Sequence, residues 1–269
     1  MLAAASSILL VYTAVGMLIS ATVARSPAGL GFYRLNLLVG FSCLALGLGL
    51  RFGPASDTLP TLSTASAVAY AVSVIATTIF MFGLQKDRTP RFAWLAAAGA
   101  AGLAAVLADP VMLSGAETLT PASTFLYRFG LLSAVPAVGG VFFGMLLAHW
   151  YLIEPRMPIN PLQRTLILFI VTEIAILISL GGVVAYHWPE WTGMDGGLLR
   201  AFTLGNALFV AMRLFLGVLA PIGLAWMTWE TVKIRSIQSA TGILYAAMVF
   251  VLFGATISIY LSLASGQPY

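Results

Sequence analysis

Charge is what this chain has least of. Asp, Glu, Lys and Arg make up 8% of its 269 residues, where an ordinary soluble domain carries about 25%. A chain so poor in charge cannot clothe a water-facing surface, which excludes a soluble enzyme or binding module. Cysteine is nearly missing as well. The single one, Cys43, lies inside an apolar run, so intrachain disulfides, iron–sulfur clusters and cysteine-based zinc sites are excluded by counting. Histidine is almost as scarce. His149 and His187 fall at opposite ends of neighbouring apolar runs, separated by about the 30 Å of a bilayer core, and cannot ligate one haem together. There is no Walker-type or dinucleotide-binding glycine loop and no Ser-His-Asp hydrolase pattern. Alone, the chain is unequipped for covalent or redox chemistry, with no cofactor expected through covalent or metal ligation. Basic residues are missing from the opening MLAAASS too. A secretory signal starts with a positive segment, so the first apolar run is expected to be a retained helix.

What is present is hydrophobicity. Apolar residues make up 60% of the chain, and the mean hydropathy is +0.99. The apolar runs reach about twenty residues without period-two alternation, the length and pattern of membrane-spanning helices rather than barrel strands. Reading windows of about 19 residues predicts eight spans: 3–23, 31–50, 64–84, 92–108, 131–151, 164–186, 201–229 and 238–263. The fourth is the shortest and the richest in alanine and glycine.

The basic residues test this map. The first, third, fifth and seventh loops hold Arg25, Arg34, Lys86, Arg88, Arg91, Arg156, Arg164, Lys233 and Arg235, whereas the even loops hold only Arg51, Arg128 and Arg200. By the positive-inside rule the odd loops are cytoplasmic and both termini lie on the outer, periplasmic side. The net charge of +4 is therefore a topology signal. Membrane lipids, not nucleic acid, are the expected surroundings.

Two loops carry further signals. HWPEWTGMDGG places Trp188 and Trp191 beside a helix end, as in an interfacial aromatic belt. EPRMPINP spaces Pro155, Pro158 and Pro161 along a stiff extended link, with docking of a cytoplasmic partner as the alternative. Gly140 and Gly144 form a small-xxx-small pair suited to close helix packing. The segment FYRLNLLVGFSCLALGLGL aligns with LQRTLILFIVTEIAILISL. On that reading a parallel repeat relates two four-helix halves, residues 1–112 and 131–269, joined by an outer loop at 113–130.

Two charges lie inside predicted spans. Glu173 is near the middle of the sixth and Arg213 near the middle of the seventh, within roughly 6 Å of one another along the membrane normal. A charge at that depth costs from ~3 to ~15 kcal/mol and faces the bundle interior. Asn206, seven residues before Arg213, shares its helix face, and Thr172 adjoins Glu173. Pro221 supplies no amide hydrogen to the carbonyl of Gly217, so the seventh span is expected to be distorted there. Glu173, Arg213 and Asn206 are thus candidates for a ligand headgroup site or proton relay, with a purely structural ion pair as the competing reading. His149, in AHWYLIEPR, is a further candidate proton carrier near the membrane surface, set against an ordinary hydrogen-bonded interfacial histidine.

The eight-span pattern, together with SSILLVYTAVG near the start and MRLFLGVLAPIGLAW followed by GILYAAMVFVLFGATISIY near the end, resembles the NrfD-like membrane-anchor subunits of dimethyl-sulfoxide and polysulfide reductases. The resemblance implies a quinone-binding, haem-free subunit in the bacterial inner membrane. It also implies partners: an iron–sulfur subunit and, behind it, a molybdenum-containing one. The acidic residue expected near the last helix is replaced here by Ala255 and Thr256. A small-solute or ion transporter with a midplane Glu/Arg site, and a structural or assembly subunit, remain open alternatives.

Overall fold

The computed structural model describes residues 2–57, 59–85, 91–109, 121–193 and 207–265. Among them every regular element is a helix: α1 (Leu2–Ala24), α2 (Leu30–Phe52), α3 (Thr64–Gln85), α4 (Arg91–Leu107), α5 (Pro121–Ile153), α6 (Asn160–Gly193), α7 (Ala207–Leu214), a π turn (Phe215–Leu219), α8 (Ala220–Lys233) and α9 (Ile237–Ser265). Among the described residues, seven stretches of 20 to 30 residues are long and apolar enough to cross a bilayer, with α7, the π turn and α8 forming one of them. The protein is an all-α integral membrane protein. The helix at the fourth predicted span is shorter, with 17 residues.

Helices α1 and α5 are the most enclosed, and the others turn most of their surface outward. The cause is visible in their crossing. A Cβ added at Gly16 would overlap the Val135 carbonyl and the Gly139 backbone, so two glycines let the helix axes approach closely. Gly140 and Gly144, picked out by their spacing, meet the Ser20 and Thr165 side chains less tightly. Helix α4 lays Gly99 and Gly102 over Ile19 and Val15 of α1. Because α1 packs against α2 and α4 and also against α5, α6 and α9, the core is continuous across the two predicted halves.

With little hydrophobic drive between helices in lipid, hydrogen bonds help to join them. The hydroxyls of Ser63, Ser66 and Ser73 donate to the carbonyls of Ala108, Ala105 and Ala98 at 3.0, 2.9 and 2.7 Å. These bonds tie α3 to α4 in antiparallel register. Ser7 of α1 donates to the Gly47 carbonyl of α2 at 2.7 Å. At the end of α2, Arg51 donates to Asp109 through its two terminal guanidinium nitrogens, at 2.5 and 2.7 Å, and Nη2 also donates to the Pro60 carbonyl at 2.7 Å.

Two segments differ from the sequence expectation. Helix α5 begins at Pro121, so residues 121–130 of the connecting loop are helical, while 113–120 lie outside the described residues. Proline suits the first helical turn, and a hydropathy window registers only the part of a helix that lies in hydrocarbon. For the same reason HWPEWTG forms the last turns of α6, which runs to Gly193. Trp188 is half exposed there, as an interfacial anchor would be. The proline-rich link between α5 and α6 is pinned by Tyr151, whose hydroxyl donates to the Pro158 carbonyl at 2.5 Å.

Candidate functional site: a buried acid beside a distorted helix

Helix α6 holds Glu173 on the same face as Phe169, Ile176 and Leu180, all buried. That apolar stripe turns inward and carries the carboxylate with it, leaving Glu173 1% exposed. Arg213 comes from α7 and is 6% exposed. Around α7, Val210, Ile176, Leu180, Ile257 and Leu261 form a small apolar cluster contributed by α6, α7 and α9.

Just beyond Arg213 the helix widens into the π turn. There the Ala220 amide donates to the Phe215 carbonyl five residues back. Pro221 has no amide hydrogen to give Gly217, and the wider turn is how the chain absorbs the break. The distortion is packed rather than loose. A Cβ on Gly217 would lie 2.5 Å from the Gly254 Cα of α9 and 3.6 Å from the Arg213 Cγ. The expectation of a distorted seventh span at Gly217 and Pro221 is met by this turn.

Arg213 lies within electrostatic range of Glu173 and of the Tyr12 side chain of α1. Glu173 nevertheless has no hydrogen-bond partner among the described residues at either carboxylate oxygen. The two charges predicted to share a depth are therefore brought together without bonding. Thr172 is occupied elsewhere, since its hydroxyl donates within α6 to the Leu168 and Phe169 carbonyls, both at 2.9 Å. His149 is exposed at the end of α5. Level with the start of α6, it is displaced from Glu173 by about 20 Å along the helix axis and does not join the site. Asn206 lies outside the described residues.

Tyr12 is the member that sequence reading missed. Its position in an unbroken apolar run carries no signal of its own. Only the packing of α1 against α6 reveals its place. The ion pair of Arg51 and Asp109 was missed similarly, because both residues read as loop charges.

No protein-family model matches the chain, and comparison with curated proteins and solved structures finds none that is similar. The chemistry of the site must be read from its own residues. A desolvated carboxylate without a fixed donor is costly unless a proton or a ligand's donor satisfies it. A guanidinium nearby supplies donors and positive charge for an oxygen-rich headgroup. The arrangement suits proton exchange or the holding of a small polar group.

Proposed function

We propose that this chain is a haem-free integral membrane subunit of a multi-subunit redox or energy-converting complex, and that the Glu173–Arg213 region holds a quinone headgroup or relays protons. The observation that carries the reading is the pair of unbonded Glu173 oxygens deep within α6. An acid kept only to fix packing would be expected to meet its cation directly, whereas here the cation lies near but unbonded. The NrfD-like resemblance of the span pattern supplies the partner class, an iron–sulfur subunit that exchanges electrons with the quinone.

Eight crossings fit this reading. Arg51 and Asp109 bring the ends of α2 and α4 to one level, which supports α4 returning across the bilayer after α3. The odd loops would then face the cytoplasm and the termini the outer side.

The test is purification from native membranes in mild detergent, with mass spectrometry of co-migrating proteins and extraction of bound quinone. Recovery of an iron–sulfur partner, together with quinone that is lost in Glu173→Gln, is the expected result. A solitary, monodisperse protein without quinone would overturn it.

One observation favours a second reading. The π turn next to Arg213 interrupts the seventh span, as broken helices do around midplane transport sites. Against a transporter built on repeats, α3, the counterpart of that span, runs unbroken from Thr64 to Gln85. Solute uptake by the purified chain alone in vesicles would establish transport.

A further inference from the structure

Two arginines hold a backbone conformation that arginine does not favour. Among the described residues, Arg25 and Arg235 are the non-glycine residues with positive φ, at 45° and 55°. The left-handed region crowds a Cβ against the chain and suits glycine. Each arginine stands where a helix has just ended. The Arg25 amide donates to the Ala21 carbonyl at 3.3 Å and closes α1. Past α8, the Arg235 amide donates to the Val232 carbonyl at 3.0 Å and the Ser236 amide to the Thr231 carbonyl at 2.9 Å. These are the two bonds of a helix stop whose left-handed position is usually glycine. The helix dipole favours a cation near a C-terminus, but a cation in the last turn gains that without strain. Lys233 already occupies the last turn of α8.

Both corners lie at one end of the bundle. Gly31 of α2 meets the Trp150 ring at the end of α5, and Arg235 is within electrostatic range of Tyr151. The corners are also fixed in place. The Tyr33 hydroxyl donates to the Ser26 carbonyl at 2.9 Å, next to Arg25, and the bonds given above hold Arg235. Both arginines are exposed. The ion pairs among the described residues join Arg51 to Asp109 and Lys233 to Glu230, so neither guanidinium has a carboxylate partner there. Arg34, Arg156 and Arg164 are exposed at the same end, against Glu154 and the paired Glu230. Val23, 36% exposed, lies two residues before Arg25, and Ile234, 77% exposed, adjoins Arg235. Aliphatic side chains turned outward on a membrane helix belong in hydrocarbon. The arginines follow where the chain leaves it, at the level of the lipid headgroups.

We propose that Arg25 and Arg235 each hold the phosphate of an anionic phospholipid at this end of the bundle, and that the strained corners are kept because they present a guanidinium there. A guanidinium matches a phosphate geometrically and in charge. A zwitterionic lipid brings its own cation and gains less from a face with excess positive charge. An acidic protein surface would have to cover Val23 and Ile234 as well, whereas acyl chains do so without cost. These sites are separate from the Glu173 region, so their fate does not depend on the functional reading given above.

The test titrates phosphatidylglycerol and phosphatidylcholine onto the full chain in a neutral detergent, read by native mass spectrometry. Phosphatidylglycerol is expected to bind more tightly. Arg25→Gly and Arg235→Gly should each weaken it by about fivefold, the scale of one arginine near an anionic surface, and leave phosphatidylcholine unchanged. Heated without lipid, the same glycine variants should melt no lower than the unmodified protein, because glycine relieves the left-handed backbone. Arg156→Gln, which removes an exposed cation from the same end, should have a clearly smaller effect on phosphatidylglycerol. A loss as large in Arg156→Gln would mean diffuse attraction and overturn the proposal. A lower melting temperature in the glycine variants would make the arginines structural caps and overturn it too. Tighter binding of polyglutamate than of phosphatidylglycerol would assign the arginines to an acidic protein surface instead. The comparison of the two lipids needs no variant, and equal affinity for both would by itself sink the proposal.

Discussion

Asp109 grips Arg51 with both carboxylate oxygens, and the two side chains are 4% and 5% exposed. The pair fastens the end of α2 to the segment just past α4, while the serine hydroxyls of α3 fasten α4 along its length. A buried ion pair is worth little over an apolar replacement, but removing one partner strands the other. Arg51→Met or Asp109→Asn is therefore expected to cost about 3–5 kcal/mol. The double replacement Arg51→Met with Asp109→Leu should recover most of the loss. Thermal unfolding in one detergent, compared across the three variants, measures this; a double variant whose loss equals the sum of the two single losses would show that the residues act independently.

The same pair makes a topological prediction. If α4 crosses the bilayer, position 56, after α2, and position 156, between α5 and α6, face opposite compartments. Both are exposed. With Cys43 replaced by alanine, Ser56→Cys should react with an impermeant maleimide added outside intact cells, and Arg156→Cys only after the membrane is opened. Reaction of both from one side would mean that α4 does not cross.

How much of this was legible in sequence follows from how each property is encoded. Long apolar runs declare helices because lipid leaves the backbone no other partner, so the eight predicted spans coincide with described helices over most of their length. Helix ends are less legible. The extensions at Pro121–Gly130 and His187–Gly193 lie in polar sequence, where hydropathy is silent. The distortion near Gly217 was legible from one missing proton on Pro221. Its π form was not, since it depends on α9 packing against Gly217. Spacing also pointed to Gly140 and Gly144, while the closest approach is Gly16 on Gly139. Small-residue motifs mark a face but not which partner meets it. Tyr12 was unmarked because a lone polar side chain in an apolar run acquires meaning only from neighbouring helices.

The glycine contact behind Arg213 should be intolerant of a single methyl group. A Cβ on Gly217 would lie 2.5 Å from the Gly254 Cα, and the reciprocal Cβ would overlap the Gly217 backbone. Because backbone rather than a flexible side chain is struck, α9 must shift. Gly217→Ala and Gly254→Ala are each expected to destabilise by about 1–3 kcal/mol, the range for overpacked cores. Gly223→Ala in α8, where a Cβ meets nothing within 4 Å, should be near neutral. Equal melting temperatures for all three would contradict the close approach.

The last prediction separates a bonded pair from two charges in mutual range. A buried salt bridge loses about 3–5 kcal/mol when one partner is removed, because the remaining charge keeps its desolvation cost without its partner. Glu173 has no bonded partner to lose among the described residues. Glu173→Gln should therefore leave stability within about 1 kcal/mol of the original, the ordinary scale of a single net hydrogen bond. A double-mutant cycle with Arg213→Met, read by thermal unfolding, should give a coupling of about 1 kcal/mol or less. A coupling several times larger would mean that the pair is bonded and structural, which would remove the main support for a proton or headgroup role. A small coupling, combined with loss of bound quinone or of proton transfer in Glu173→Gln, would place the function of Glu173 in its chemistry rather than its packing. Stability and function must be measured on the same variant, because only their divergence distinguishes the two roles.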